Sequence, residues 1–138
     1  MPPKRTGCSC CCGRALDAAG LCAEAALGGL AALAVVSNGE LARTAALRGL
    51  LVKVADEAAD AARSAGLRVT GRPAELAARR CRQHPRQQHP WLRALRAGRP
   101  TGADALFGPL LYAARRAGGD AGRLAVIAAV LRRLEKTR

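Results

Sequence analysis

The chain has 138 residues and a formal net charge of +13, and it contains one Trp, one Tyr and one Phe. This length allows one domain with a buried core, which alanine and leucine must fill for the most part. The abundance of Ala, Leu and Arg and the lack of alternating β-branched runs argue against β-sheets. We therefore expect an all-α protein.

The charge is distributed unevenly along the chain. Residues 1–66 hold seven basic and six acidic side chains, whereas residues 67–138 hold sixteen basic and four acidic ones. A GC-rich gene would account for much of the Arg, Ala and Gly content, but not for this segregation. Such an excess predicts attraction to a polyanion, either nucleic acid or an acidic membrane surface.

The N-terminal sequence does not have the pattern of a signal peptide, because MPPKRTG is followed by cysteines and then by a segment with Asp17 and Glu24. The longest uncharged apolar run, Ala25–Val36, is shorter than the roughly twenty residues that span a bilayer. A soluble, intracellular protein is expected.

The first part of the chain predicts a tail and two helices. Residues 1–13 form a basic, Cys-rich tail without periodicity, which predicts disorder. A helix is predicted over about residues 15–36, weakened by Gly28-Gly29, and Ser37 or Asn38 can cap the next helix. That second helix is predicted to run without a break to Gly66, with one apolar stripe along it.

The second part predicts shorter helices. One begins at Pro73, which is suited to a first helical turn, and runs to about Cys81. A short helix is predicted around residues 91–96, inside a basic linker with seven arginines and no acid between Arg79 and Arg99. Two amphipathic helices, at about 103–117 and 120–136, complete the chain.

The stretch LRVTGRPAEL at residues 67–76 follows the run VADEAADAARSAG at residues 54–66. Together they resemble the central helix, second loop and third-helix start of archaeal and core histones. In that family the loop arginine and threonine lie beside DNA, a proline often opens the third helix, and an acid seven residues after the arginine forms an ion pair. Arg68, Thr70, Pro73 and Glu75 match these positions. An acid in a first turn can brace such an arginine by a charge-assisted hydrogen bond.

The resemblance implies a histone fold over residues 14–81 and a basic linker with a C-terminal helical extension over residues 82–138. It also implies a non-enzymatic protein that binds double-stranded DNA through the phosphate backbone and pairs with itself or with another histone-fold chain. The implied location is the nucleus or chromosome, or the virion of a virus. No cofactor, small-molecule substrate or membrane is expected.

The candidate site residues follow from this interpretation. The dimer interface is predicted along the apolar stripe, which a short-long-short helical unit cannot bury alone, and Glu75 is the predicted brace of the loop. The interface candidates are Leu47, Leu51, Val54 and Ala58. The DNA-binding candidates are Lys4, Arg5, Arg43, Arg68, Thr70, Arg72, Arg79, Arg80 and Arg82.

The six cysteines are expected to be reduced thiols. Cys8 and Cys11 could join Cys81, His84 and His89 in a zinc site, but the first pair lies in the predicted tail, so no metal is expected. The tail cysteines could instead be palmitoylated beside Lys4 and Arg5.

Two other functions stay open. One is a helical-bundle interaction module, such as a signalling regulator anchored by lipidated cysteines. The other is a histone-fold subunit of a transcription or centromere complex. A catalytic site is not expected, because the histidines have no evident nucleophile partner and no glycine-rich phosphate loop follows a strand.

Overall fold

The computed structural model describes residues 17–119 and 121–137, and within these ranges the secondary structure is entirely helical. The prediction of an all-α protein is confirmed. The helices are α1 (Ala18–Ala34), α2 (Asn38–Arg43), α3 (Ala45–Ser64), α4 (Pro73–Gln83), α5 (Pro90–Arg96), α6 (Asp104–Arg116) and α7 (Gly122–Lys136).

The predicted long helix is divided into α2 and α3 at Thr44. This residue has extended backbone angles, φ −85° and ψ 111°, so it ends one helix and precedes the next. The start of α2 is fixed by a capping box, in which the backbone N–H of Ser37 donates to the Glu40 carboxylate at 2.9 Å. The predicted start at Ser37 is therefore right, and the predicted continuity is wrong.

Helix α1 lies at the centre of the fold and contacts all six other described helices. It begins at Asp17, whose side chain accepts a hydrogen bond from the backbone N–H of Gly20, and it ends at Val35 in a left-handed conformation. Most of its residues are alanine, leucine or glycine and are buried. This composition allows helices to pack around it on several sides.

Two adjacent glycines in α1 permit this close packing. A Cβ atom on Gly28 would lie 2.5 Å from the Trp91 ring and 2.6 Å from the His89 ring. A Cβ on Gly29 would lie 2.7 Å from a methyl group of Ile127. The missing side chains at Gly28 and Gly29 therefore allow α5 and α7 to pack closely against α1. Glycine lowers helix propensity at these two positions, but this packing requires it.

The apolar stripe of α3 is covered by the chain itself. Leu51, Val54 and Ala58 are almost completely buried in the core, against which Leu47 packs at the margin. The stripe is covered chiefly by α1, with α4, α6 and α7 also in contact with α3. The predicted dimer interface is wrong, because a second chain is not needed to bury these side chains. The histone fold, from which that pairing was inferred, is wrong too.

The loop between α3 and α4 does not contain the predicted brace. Arg68 and Glu75 are both exposed and do not pair with each other, while Arg72 pairs with Asp56 on α3 at 3.2 Å. Glu75 is an acid in the first turn of α4, where the helix dipole favours it. Pro73 opens α4, as predicted.

Helices α5 to α7 belong to the same hydrophobic core as α1 and α3. Phe107 and Leu124 are completely buried in it together with Leu51. Glu57 connects α3 to α7, because its carboxylate accepts a hydrogen bond from the backbone N–H of Leu124 at 2.8 Å. The domain boundaries proposed from the sequence stay a prediction, and residues 1–13 lie outside the described part.

Helices long and apolar enough to span a bilayer are absent from residues 17–119 and 121–137.

Candidate functional site

A cleft of about 480 Å³ opens beside α1, where the end of α4 and the segment leading to α5 approach α2. Its walls are rich in polar side chains from four parts of the chain. The lining residues are Glu24, Leu27, Asn38, Arg80, Gln83, His84, Gln87, His89 and Pro90.

Glu24 holds the base of the cleft together. Its Oε1 accepts from Nη1 of Arg80 at 3.1 Å, and its Oε2 lies 2.5 Å from Nε2 of His89. Burial alone would raise the pKa of this carboxyl, but the hydrogen bond from His89 and the charge of Arg80 outweigh burial and lower the pKa below its usual value. Glu24 is therefore ionised at neutral pH.

His89 is fixed at both ring nitrogens. It caps α5, where its Nδ1 accepts from the backbone N–H of Trp91 at 3.1 Å. Because Nδ1 acts as an acceptor, the ring proton is on Nε2 and is donated to Glu24. The ring is 4% exposed and lies edge-on to Trp91. His89 is consequently a structural link between α1 and α5.

The backbone of α2 forms one wall of the cleft. Asn38 and Gly39 donate their backbone N–H groups to the carbonyl oxygens of Gln87 and Pro85, at 3.0 and 2.7 Å. A Cβ atom on Gly39 would lie 2.9 Å from the same Pro85 oxygen, so this close approach requires glycine. The position of Asn38 in the wall is thereby fixed by the main chain.

The side chain of Asn38 is 5% exposed, and its Oδ1 has no hydrogen-bond partner in the described part of the chain. Leaving a buried acceptor unpaired costs about 1 to 3 kcal/mol. Because Asn38 also lines the cleft, this acceptor is available to a group bound there.

The cleft is better suited to holding an anion than to giving a proton. The ionised Glu24 has no proton to give, and the Nε2 proton of His89 is committed to Glu24. Arg80 stays charged and, within the described chain, uses only Nη1 in a hydrogen bond. His84 and the two lining glutamines add further hydrogen-bond donors around it.

A second, larger cavity of about 600 Å³ lies between α1, α3 and α7. Its lining is mainly aliphatic, with Leu30, Leu33 and Val126 among its residues, and Glu57 pairs with Arg123 at 3.2 Å at its rim. This cavity lacks the converging polar groups of the cleft, which makes the cleft the candidate site.

Of the residues proposed from the sequence for DNA and zinc, Arg80 and His84 come together in the cleft. The other described DNA-binding candidates are exposed and do not line it; these are Arg43, Arg68, Thr70, Arg72, Arg79 and Arg82. Lys4, Arg5, Cys8 and Cys11 lie outside the described residues.

The described part of the weak zinc candidate does not form a cluster. In residues 17–119 and 121–137, groups of three His, Cys, Asp or Glu side chains placed to hold a metal are absent. Cys81 is buried in the core, and burial raises the pKa of its thiol although the charge of Arg82 opposes this. Burial likewise raises the pKa of Cys22 to about 11. Both thiols are protonated core side chains.

The sequence did not indicate Glu24 or Asn38 as candidate site residues, and it did not indicate His89 as a partner of Glu24. Glu24 lies 65 residues from His89 and 56 from Arg80, so no local spacing connects them. A signal was nevertheless present, because Glu24 is the one charged residue in α1. A lone charge within a buried helix requires a partner.

The family model described as ketopantoate reductase PanE/ApbA C terminal matches residues 19–135. A PanE/ApbA family ketopantoate reductase from Ralstonia eutropha JMP134 is similar in structure, with a TM-score of 0.77 and 25% sequence identity over 86% of this chain and 40% of that one. A probable 2-dehydropantoate 2-reductase from Bacillus subtilis gives a TM-score of 0.70 and 32% identity over 84% of this chain and 39% of that one. The chain thus spans about two fifths of the length of these structures. Among curated proteins none matches.

These matches overturn the functional interpretation of the sequence. The histone resemblance, DNA and histone partners, the chromatin role and the nuclear, chromosomal or virion location are wrong, since the similar proteins are bacterial reductases. The signalling and transcription-complex alternatives are unsupported, and the expectation of a non-enzymatic class is wrong as well.

The physical reason for the error lies in the arginines. The arginines proposed for DNA do not share one role, since Arg72 pairs with Asp56 and Arg80 with Glu24 inside the chain. With residues 19–135 matched, the chain belongs to the family of ketopantoate reductase PanE/ApbA C-terminal domains.

Proposed function

We propose that this chain is the helical, substrate-holding part of a reductase of the ketopantoate type, and that its cleft binds the carboxylate of a small 2-oxo acid. The observation that carries the proposal is the placement of Arg80. Its side chain is 26% exposed and lines the cleft, and Glu24 fixes its guanidinium through Nη1. As far as the described residues go, its remaining N–H groups are free to bind a carboxylate at two points.

The names of the similar structures support a 2-oxo acid as the ligand. One is a probable 2-dehydropantoate 2-reductase, whose substrate carries a carboxylate next to a ketone. Two acceptor groups side by side suit a wall that offers Arg80, Gln83 and Gln87. His84, also in the lining, adds an imidazole beside them.

Reduction of a ketone requires a hydride donor, which a nicotinamide dinucleotide supplies when bound. Such cofactors are commonly held at a glycine-rich turn between a strand and a helix. The described residues form helices without a strand, so they do not fit this group. In the proposal the dinucleotide is bound by residues other than those described, and the helical part contributes the substrate side of the site.

In this proposal Glu24 and His89 are positioning residues. Glu24 orients the guanidinium of Arg80 and compensates part of its charge, and His89 fixes Glu24. A preorganised arginine binds an anion at a lower entropic cost than a mobile one.

Calorimetric titration with pantoate, the alcohol formed by reduction, tests the proposal. Arg80→Gln should weaken binding about tenfold or more, because a hydrogen bond to a charged group is worth about 1.5 to 3 kcal/mol. Arg80→Lys keeps the charge but not the two-point geometry and should weaken binding less.

Arg82→Gln is the matched control, since it removes one positive charge from the same helix at an exposed position outside the cleft lining. It should leave the affinity unchanged. Absence of pantoate binding by the wild-type chain, or equal losses for Arg80→Gln and Arg82→Gln, would refute the proposal.

A further inference from the structure

The aliphatic cavity between α1, α3 and α7 is separate from the cleft. The two share no lining residue, although α1 contributes to both. The cavity volume of about 600 Å³ lies within the range of about 300 to 1,000 Å³ that is usual for small-molecule pockets. The cavity is therefore large enough for a ligand of its own.

The walls of the cavity leave apolar surface open to solvent. Val126 on α7 is 61% exposed and Leu50 on α3 is 36% exposed, and both line the cavity. Leu30, Val54 and Ile127 line it as well and are buried in the core, so they form its floor. Covering such a surface with an apolar body is favourable, because water is released from it.

The rim of the cavity carries an ion pair whose geometry is fixed. Glu57 accepts from the backbone N–H of Leu124 through Oε1 and from Nη1 of Arg123 through Oε2, at 2.8 and 3.2 Å. Both oxygens of Glu57 are thus engaged, and its side chain is 11% exposed. The side chain of Arg123 is 49% exposed and, among the described residues, uses only Nη1. Its other N–H groups can bind an anion at the rim.

We propose that this cavity binds a fatty acid of medium chain length, with the alkyl chain against the aliphatic walls and the carboxylate on Arg123. A ligand with a long apolar body and one anionic end matches both parts of the site. A second copy of the chain fits less well, since two chains with a net charge of +13 repel each other. The proposal goes beyond the proposed function and does not rest on it, because the cleft takes no part in it.

Calorimetric titration with hexanoate, octanoate and decanoate, below the concentrations at which they form micelles, tests the proposal. The affinity should rise about two- to fourfold for each added methylene group, because each one buries further apolar area. Octylammonium, which has the same chain and the opposite charge, should bind about three- to fivefold more weakly than octanoate, since a partly exposed ion pair contributes modestly.

Val126→Asp tests the apolar wall. The variant places a carboxylate beside the alkyl chain at an exposed position, where it should not disturb folding, and it should weaken decanoate binding about tenfold or more. Val130→Asp is the matched control, because it makes the same change one turn further along α7, outside the cavity lining. Its affinity for decanoate should stay within about twofold of the wild type.

Arg123→Gln tests the anionic end of the ligand. It should abolish the preference for octanoate over octylammonium and keep the gain for each methylene group. Arg133→Gln, an exposed arginine of the same helix outside the lining, should keep both.

Three results would overturn the inference. One is an absence of decanoate binding or an affinity that does not depend on chain length. Another is an equal loss of affinity for Val126→Asp and Val130→Asp. The third is a dimer, seen by light scattering, that Val126→Asp separates into monomers, because a second copy would then cover this surface.

Discussion

His89 and Glu24 are joined by a hydrogen bond of 2.5 Å across 65 residues of sequence. The bond connects the central helix to the N-terminus of α5, and it fixes the carboxylate that holds Arg80 in the cleft. Fold and site therefore share one polar link, and changes to it should affect both.

Replacing Glu24 with Gln should make stability less dependent on acid pH. The pKa of Glu24 is lowered in the folded chain, so its contribution is fully present above the ordinary value of 4.5 and is lost as the pH falls through the folded value. At neutral pH the variant should lose about 1 to 3 kcal/mol. Urea unfolding over a series of acid pH values measures both effects.

Glu75→Gln provides the comparison, because Glu75 is an exposed carboxylate without an ion pair among the described residues. At neutral pH it should lose less stability than Glu24→Gln, because an exposed acid in a first helical turn contributes only about 0.3 to 1 kcal/mol. Equal behaviour of the two variants would contradict the role given to Glu24.

Gly28→Ala should destabilise the protein although alanine favours helices. The added methyl group would lie 2.5 to 2.8 Å from ring atoms of Trp91 and His89, and such overpacking costs about 1 to 3 kcal/mol. Gly49→Ala, in α3 with no atom within 4 Å of the new Cβ, should instead stabilise by about 0.5 to 1 kcal/mol. Thermal unfolding of both variants measures these stability changes. Stability changes of the same sign would contradict the close packing at Gly28.

Leu51→Ala should cost about 2 to 5 kcal/mol, since the side chain is buried in the core. The loss should not vary with protein concentration, because the covering residues belong to the same chain. Leu67→Ala, at a position 50% exposed, should change stability by less than about 0.5 kcal/mol. A concentration-dependent loss for Leu51→Ala would restore the dimer interface that the sequence suggested.

Glu57→Ala should loosen the start of α7. The variant removes the acceptor of the Leu124 N–H and the partner of Arg123, and loss of such a cap costs about 0.5 to 2 kcal/mol. Hydrogen exchange should accelerate at the first amides of α7 and much less in α4, which does not depend on this contact. Uniform acceleration throughout the chain would indicate general unfolding instead.

The class of fold and most helix limits could be predicted from the sequence. Ser37 as a cap, Pro73 as a helix start and the stop near Gly66 act through local backbone chemistry, which a sequence displays directly. The break at Thr44 was missed because the apolar periodicity continues through it.

The histone interpretation failed for a different reason. An apolar stripe such as Leu51, Val54 and Ala58 indicates that one face of the helix is buried. It does not indicate whether a second chain or another helix of the same chain buries that face. The match of Arg68 and Glu75 to a loop motif was equally ambiguous, since an acid in a first helical turn is favourable in any helix.

Titration of the isotope-labelled chain with 2-dehydropantoate, followed by amide chemical shifts, tests directly whether the cleft binds the substrate. We expect saturable shifts confined to the cleft, at Asn38, Gly39, Arg80 and His84, and Arg80→Gln should weaken the response. Shifts confined to the apolar cavity of α1, α3 and α7, or no saturable shifts, would contradict the assignment of this cleft as the substrate site.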